Sequence, residues 1–169
     1  MNDLTPKQQT MLATWQEHTY AEFVLKDADA ALATMSEDPY VLLVASATGA
    51  SGRAGVHEFY AQNFLPSIPP DFELVSLSQT FGSDRIVEEF VALFTHTLAA
   101  DWMLPGVPAT GRQVEFGLIG VVQFHAGKVA GERLYWDQAT VLTQLGLTGH
   151  PVAAAGVGSA ARLRQLAGG

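Results

Sequence analysis

The stretch Arg112–Trp136, RQVEFGLIGVVQFHAGKVAGERLYW, decides the fold. Its first half has period two: Val114, Phe116, Leu118, Val122 and Phe124 share one side of an extended chain, while Gln113, Glu115, Ile119, Val121 and Gln123 share the other. Ala126-Gly127 interrupts the pattern with a hairpin-type turn signal, and a second extended run follows over 128–136. Upstream, 72–81 and 85–99 read the same way across Gly82-Ser83-Asp84. In the longer of these, Ile86, Glu88, Phe90, Ala92, Phe94 and His96 oppose Val87, Glu89, Val91, Leu93, Thr95 and Thr97. Both faces of these strands are substantially apolar, whereas a sheet solvated on one side alternates more cleanly. The second face therefore needs a cover, and in so short a chain a second copy is the expected one.

The part before these strands is largely helical. Thr5, Pro6 and Gln8 form an N-cap, a first-turn proline and a capping-box partner. Met11, Trp15, His18 and Glu22 then recur at spacings of four, three and four on one stripe, which Leu12 and Phe23 widen. A second helix is expected from Asp29 to Met35, ended by Ser36-Glu37-Asp38-Pro39. Tyr40–Ala47 reads as a buried strand, Thr48–Gly52 as a loop, and Arg53–Phe64 as a helix stopped by Pro66, Pro69 and Pro70. After the strands, Gln138–Leu145 is a short helix with Gly146 as its stop. The expected architecture is α+β: a curved antiparallel sheet with three N-terminal helices packed on it, forming a cone with an internal cavity. Residues 1–148 make this one domain, and 149–169 an Ala/Gly-rich tail.

Composition narrows the function. The 169 residues carry a formal charge of −8 with no Lys/Arg cluster, which speaks against a nucleic-acid surface. No cysteine is present, so a disulfide scaffold, a thiolate metal site and a cysteine nucleophile are excluded. The N-terminus lacks the pattern of a secretory signal, and no apolar run approaches a bilayer span of roughly 20 residues. A cytoplasmic setting without membrane association is the expectation. Gly49-Ala50-Ser51-Gly52-Arg53 lacks the second glycine of a nucleophile elbow, and Gly49, Gly52 and Gly55 do not spell a dinucleotide fingerprint.

The side chains that bear chemistry then stand out. Asp137 follows Tyr135 and Trp136 where the last strand meets the last helix. It has two readings. Facing an apolar cavity, its carboxyl is desolvated, raised in pKa and suited to general acid–base work. As the residue before a short helix, it is an ordinary N-cap. Alternation forbids Trp136 and Asp137 from both pointing inward without a bulge. His96, on the same strand face as Phe90 and Phe94, is either a proton shuttle and enolate donor or a satisfied core imidazole. His18 lines the cavity from the helix or sits at the core edge. Glu88, Glu89 and Glu132 lie within strands; buried carboxylates need partners, and Arg112 or Arg133 would supply an ion pair. Trp15, Trp102 and Trp136 are expected as apolar walls, Trp102 within a lid-like or interface segment 101–108, and Tyr135 as a second possible donor to an enolate. No histidine pair has metal-ligand spacing, so no metal is expected.

Gly127-Lys128-Val129, followed by Asp137, Leu142 and Gln144-Leu145-Gly146, resembles the C-terminal signature of the SnoaL-like polyketide cyclase branch of the nuclear transport factor 2-like (cystatin-like) superfamily. The order of elements agrees over roughly residues 8–147. The resemblance implies a homodimer through the open sheet face, an apolar cavity in each cone, and neither cofactor nor metal. It also implies that an Asp at position 137 is the general acid/base of an intramolecular aldol closure. The chain departs from that pattern in having Gly131-Glu132-Arg133 where the family often carries a Glu-His-Trp-like string. The expected function is thus a cofactor-free cyclase or isomerase acting on a small, partly apolar, polyketide-like carbonyl compound, with Asp137 and His96 catalytic. Trp15, His18, Glu89, Trp102, Glu132, Tyr135 and Trp136 are expected to bind the ligand. The alternatives are a dimeric small-molecule binder without chemistry and a structural dimer with a filled core.

Overall fold

The computed structural model describes residues 4–148; the tail expected over 149–169 lies outside the described residues. Helix α1 (Pro6–Tyr20) starts as its sequence dictates: the Thr5 hydroxyl accepts from the Gln8 amide and the Gln8 side chain returns to the Thr5 amide. It runs on into a wider π-type turn over Ala21–Leu25. Helix α2 (Ala28–Ala33) is capped by Asp27, and α3 (Arg53–Glu58) also continues into a π-type segment, Phe59–Phe64. The strands are β1 (Met35–Leu43), β2 (Thr48–Ser51), β3 (Glu73–Phe81), β4 (Arg85–Thr95), β5 (Gln113–His125) and β6 (Lys128–Trp136). Helix α4 (Gln138–Gln144) closes the described chain.

The six strands form one open sheet in the order β2-β1-β6-β5-β4-β3. The fold is α+β as expected, but the sheet is mixed: β1 runs parallel to β6, and the other neighbours are antiparallel. Strand β1 begins at Met35 rather than Tyr40, with Pro39 inside it at an irregularity where the register with β6 shifts. The segment expected as a loop, 48–51, is the edge strand β2. An irregular strand tolerates the missing amide of proline, which a regular central one does not. Ala126 and Gly127, both with positive φ (49° and 77°), make the β5–β6 hairpin turn.

Strand alternation places the even-numbered residues of β4 and β5, and those of β6 from Glu132 onward, on the concave side; before the register shift in β6 the inward residue is Val129. Ile86, Phe94, Val114 and Val122 are almost fully enclosed there, together with Met11 and Trp15 from α1. The threonine hydroxyl of Thr14 donates to the Gly127 carbonyl at 2.8 Å and pins α1 to the hairpin. Gly131 on β6 lets the Tyr40 ring lie across it; a Cβ there would fall 2.0 Å from a ring carbon. No helix among the described residues is long and apolar enough to cross a membrane.

Candidate functional site

Where the cone is not filled, a cavity remains, walled mainly by aromatic rings from every layer: Trp15 and Phe23 from the first helix, Phe64 after α3, and Phe90, Phe116 and Trp136 from the sheet. About 50 Å³ is open to the centres of water-sized molecules. Adding the roughly 1.4 Å radius of such a molecule all round gives room for one or two fused rings. The cavity continues between α1 and β3 into an open vestibule of about 720 Å³, which shares Trp15, Thr19, Phe23, Phe72, Leu74 and Phe90 with it.

Two carboxylates, Glu22 and Glu132, are the charged groups of the cavity wall, and no Lys or Arg faces it. Both are buried, with His18 behind them. His18 Nε2 lies 2.9 Å from Glu132 Oε1 and 3.3 Å from Glu22 Oε1. The Tyr60 hydroxyl, which also lines the cavity, donates to Glu132 Oε1 at 3.3 Å and lies 3.3 Å from His18 Nε2. The other ring nitrogen fixes the orientation. The Thr34 hydroxyl gives its proton to the Ala31 carbonyl at 2.6 Å, so its oxygen accepts from His18 Nδ1–H, also at 2.6 Å. Nε2 is therefore the atom turned to the carboxylates. Stacking of the imidazole on Trp15, with centroids 5.6 Å apart, completes the clamp.

Local sequence explains the cluster. The four-residue spacing puts His18 and Glu22 on one side of the first helix, and Glu22 falls in its π-type turn. Tyr60 falls in the second π-type segment. Such widened turns recur at functional sites because they displace side chains from the regular helical register. Glu132 is inward because it shares parity with Leu134 and Trp136 on β6, all three of which line the cavity.

The electrostatics follow from burial. Enclosure pushes the Glu132 carboxyl upward and the Glu22 charge adds to this, while the His18 cation and hydrogen bonds pull the other way; the carboxyl ends above its ordinary value. Burial alone would lower His18, but the Glu22 and Glu132 carboxylates outweigh it and hold the imidazole well above its usual range. Desolvation, followed by the two carboxylates, raises the Tyr60 hydroxyl, so Tyr60 stays a neutral donor. His18, Glu22 and Glu132 each present one ligand atom within 4.8 Å of the others, the grouping among the described residues most suited to a metal ion.

A third buried carboxylate stands in the vestibule. Glu88 accepts from Trp15 Nε1 at 2.6 Å and from the Ser76 hydroxyl at 2.5 Å. Its neighbour Glu89, expected to bind ligand, points to the convex face, where it accepts from Ser78. Tyr135 is on that convex face too, 42% exposed, and cannot reach an enolate in the cone. The ion pairs expected with Arg112 and Arg133 do not form: His18 is the partner of Glu132, and Arg133 donates to the Tyr40 hydroxyl.

Asp137 takes the cap reading. It is exposed, and Oδ1 accepts from the amides of Ala139 and Thr140 at 3.0 and 3.2 Å while Oδ2 accepts from the Thr140 hydroxyl at 2.6 Å. These bonds, that from the Thr140 side chain first, lower its pKa, the reverse of the rise a cavity would impose. Trp136 takes the inward place and its indole N–H donates to Gln138 at 2.6 Å. His96 is buried but does not line the cavity; Nδ1 accepts from the Thr110 amide, and burial lowers its pKa. The segment carrying Trp102, Met103 and Leu104 is buried, and Trp102 lines the cavity. The Trp102 carbonyl accepts from Ser46 and Thr48 at 2.8 and 2.5 Å.

A family model described as SnoaL-like polyketide cyclase matches residues 16–145. Among solved structures, a putative SnoaL-like polyketide cyclase from Jannaschia sp. CCS1 is 20% identical, covers 88% of this chain and 99% of its own, and superposes with a TM-score of 0.70. IdmH, a putative polyketide cyclase from Streptomyces antibioticus, is 22% identical over 80% and 98% of the two chains, with a TM-score of 0.61. A putative polyketide cyclase from Acidithiobacillus ferrooxidans is 20% identical over 86% and 98%, with a TM-score of 0.62. At these identities the structural likeness establishes a shared cone fold. No match to this chain is found among curated proteins.

Proposed function

The chain belongs to the SnoaL-like polyketide cyclase family, and on that premise we propose that it is a cofactor-independent cyclase or isomerase whose acid–base group is Glu132, acting on a small, largely apolar carbonyl compound. One observation carries this reading: the buried Glu132 carboxyl, backed by an imidazole and a phenol, stands in the wall of a largely aromatic cavity. A carboxylate in apolar surroundings is a stronger base than one in water, and the same burial excludes competing water. Glu132 takes the proton alpha to the carbonyl. Tyr60, held neutral, donates its one proton to Glu132 Oε1 and so helps to orient the carboxylate. His18 touches no ligand and acts as a positioning residue: its cation limits how far Glu132 is raised, and its bond to Thr34 fixes the pair. Proton return to another atom completes an isomerisation; attack of the enolate carbon on a second carbonyl completes a cyclisation.

A second copy of the chain is the cover for the convex face. Leu42, Val75, Ile119 and Tyr135 are large apolar side chains exposed there, on β1, β3, β5 and β6 respectively.

The test uses 1-indanone, a flat two-ring ketone, in D2O. Wild-type protein is expected to accelerate deuterium incorporation at C2, followed by NMR, and Glu132→Gln to abolish the acceleration while still binding the ketone. Binding without any acceleration by the wild-type protein would make the chain a carrier of such compounds and overturn the catalytic reading.

A further inference from the structure

A base that removes a proton from carbon leaves charge growing on the carbonyl oxygen, and a dry cavity has to supply a donor there. Nearly every polar group of the wall is already committed. The Thr19 hydroxyl donates to the Trp15 carbonyl at 3.1 Å. Tyr60 gives its one proton to Glu132, while Trp15 donates to Glu88 and Trp136 to Gln138. The Trp102 nitrogen has essentially no accessible surface. Among the described residues no Lys, Arg or His lines the cavity. What remains is the other carboxyl of the wall, Glu22. It stands beside Glu132 with His18 Nε2 between them, 3.3 Å from Glu22 and 2.9 Å from Glu132. His18 Nδ1–H is committed to Thr34. Nε2, facing two carboxyls, needs a proton of its own, since acceptors would otherwise meet acceptors. That proton is within reach of both carboxyls, and both line the cavity whereas His18 does not.

We propose that Glu22 is a second catalytic carboxyl, which delivers a proton to the substrate's carbonyl oxygen while Glu132 takes one from the neighbouring carbon. This rests on the carbonyl substrate and the Glu132 base proposed above, and it supplies the donor that such chemistry needs at oxygen. The proton on His18 Nε2 passes to Glu22 and from there to the oxygen as the C–H bond breaks. The electron pair of that bond becomes the C=C bond of the enol, and the carbonyl π pair forms the O–H bond. Glu132, now carrying the carbon's proton, returns it to His18 Nε2, and both carboxylates stand as they began. In a carbonyl compound the oxygen and the alpha carbon are two bonds apart. One ligand atom each of His18, Glu22 and Glu132 lies within 4.8 Å of the others, so the two carboxyls can serve both atoms of one bound ring. The same delivery serves a cyclisation, in which the oxygen of the second carbonyl takes the proton as the new C–C bond forms.

The experiment pairs 1-indanone with 2-nitroindane. Both are uncharged two-ring compounds, and in each the acceptor oxygen is two bonds from the acidic carbon. The ketone's enolate gains strongly from a proton on oxygen, whereas a nitronate is stable in water without one, so a base alone serves the nitro compound. Exchange of the acidic C–H in D2O is followed by NMR for the wild-type protein, Glu22→Gln and Glu132→Gln. Glu22→Gln is expected to slow the ketone by about 10²-fold or more, the ordinary contribution of a general acid, and the nitro compound by less than about threefold. Glu132→Gln is expected to slow both. An equal loss on the two compounds would make Glu22 a structural group, and unchanged ketone exchange would leave it no part in the reaction; either overturns the proposal. Where Glu22→Gln does not fold, Glu22→Asp, which retains a carboxyl but withdraws it by one methylene, is read the same way: a ketone-selective loss supports the delivery and an equal loss overturns it. The two proposals fail separately. A Glu132→Gln protein that retains exchange of the nitro compound removes the base assignment, while the selectivity of the Glu22 variant is read from the ratio of the two compounds whichever group is the base.

Discussion

Replacing Asp137 separates the two roles its position suggests. In the structure the carboxylate accepts two helix amides and one hydroxyl. Asp137→Ala strands those amides at the start of α4, and loss of a side-chain cap costs about 0.5–2 kcal/mol. For a domain of this size each kcal/mol lowers the melting temperature by roughly 2–4 °C, so a fall of about 1–8 °C is expected. Asp137→Asn retains an acceptor at the cap and should stay within about 0.5 kcal/mol of wild type. The cap also has a pH signature. Because the folded pKa is depressed, its stabilising contribution is full above the unfolded value of about 3.9 and is lost as pH falls through the lower folded value. Thermal melts monitored by circular dichroism, paired with C2 deuterium exchange of 1-indanone, read both properties. Neither variant should change the exchange rate per folded molecule by more than about twofold. An Asp137→Asn protein with wild-type melting and no exchange would refute the reasoning and return the chemistry to this residue.

Further expectations concern the interior and the convex face. His18→Ala leaves two buried carboxyls without their cation and should destabilise the fold by about 3–5 kcal/mol, visible in urea denaturation. His18 and Glu132 both have raised folded pKa values. The native state thus holds more protons than the unfolded chain, and stability falls as pH rises above the unfolded values, about 4.3 for Glu and 6.5 for His. Melting temperature should be lower at alkaline pH than near pH 6, and flat over that interval in any folded variant lacking both groups. Ile119→Glu on the convex face should shift sedimentation from dimer to monomer; an unchanged coefficient would place the contact elsewhere. Dialysis against EDTA should leave C2 exchange intact, whereas a loss restored by Zn²⁺ would reassign His18, Glu22 and Glu132 as metal ligands.

The legible parts of the fold were those with local causes. The Thr5 capping box and the stripe of Met11, Trp15 and His18 follow from spacing alone, and the four long strands follow from their period and turns. The parallel contact of β1 with β6 joins residues about ninety positions apart and has no local signal. Pro39 suggested a break because proline usually marks one, while here an irregular strand absorbs it. Within the site, His18 and Glu132 could be found as buried polar residues on apolar stripes. Glu22 sat on the same stripe as His18, but Tyr60 was hidden among Val56, Phe59 and Phe64, where an aromatic reads as core. Glu88 and Glu89 could not be assigned to faces because both faces of β4 are apolar, which removes the contrast that fixes orientation. Asp137 is ambiguous in the sequence for a physical reason: a carboxyl after aromatics and before a helix has the same signature whether it caps or catalyses, and the structure adds its exposure and its cap hydrogen bonds.

Base chemistry at Glu132 calls for a carboxylate whose basicity is raised inside the cone, and a 13C NMR titration of its side-chain carboxyl measures that directly. An apparent pKa above the ordinary glutamate value of about 4.3 is expected, shared with the titration of the His18 ring and displaced when 1-indanone fills the cavity. A carboxyl that titrates at the ordinary value, independent of His18 and indifferent to the ketone, would contradict it.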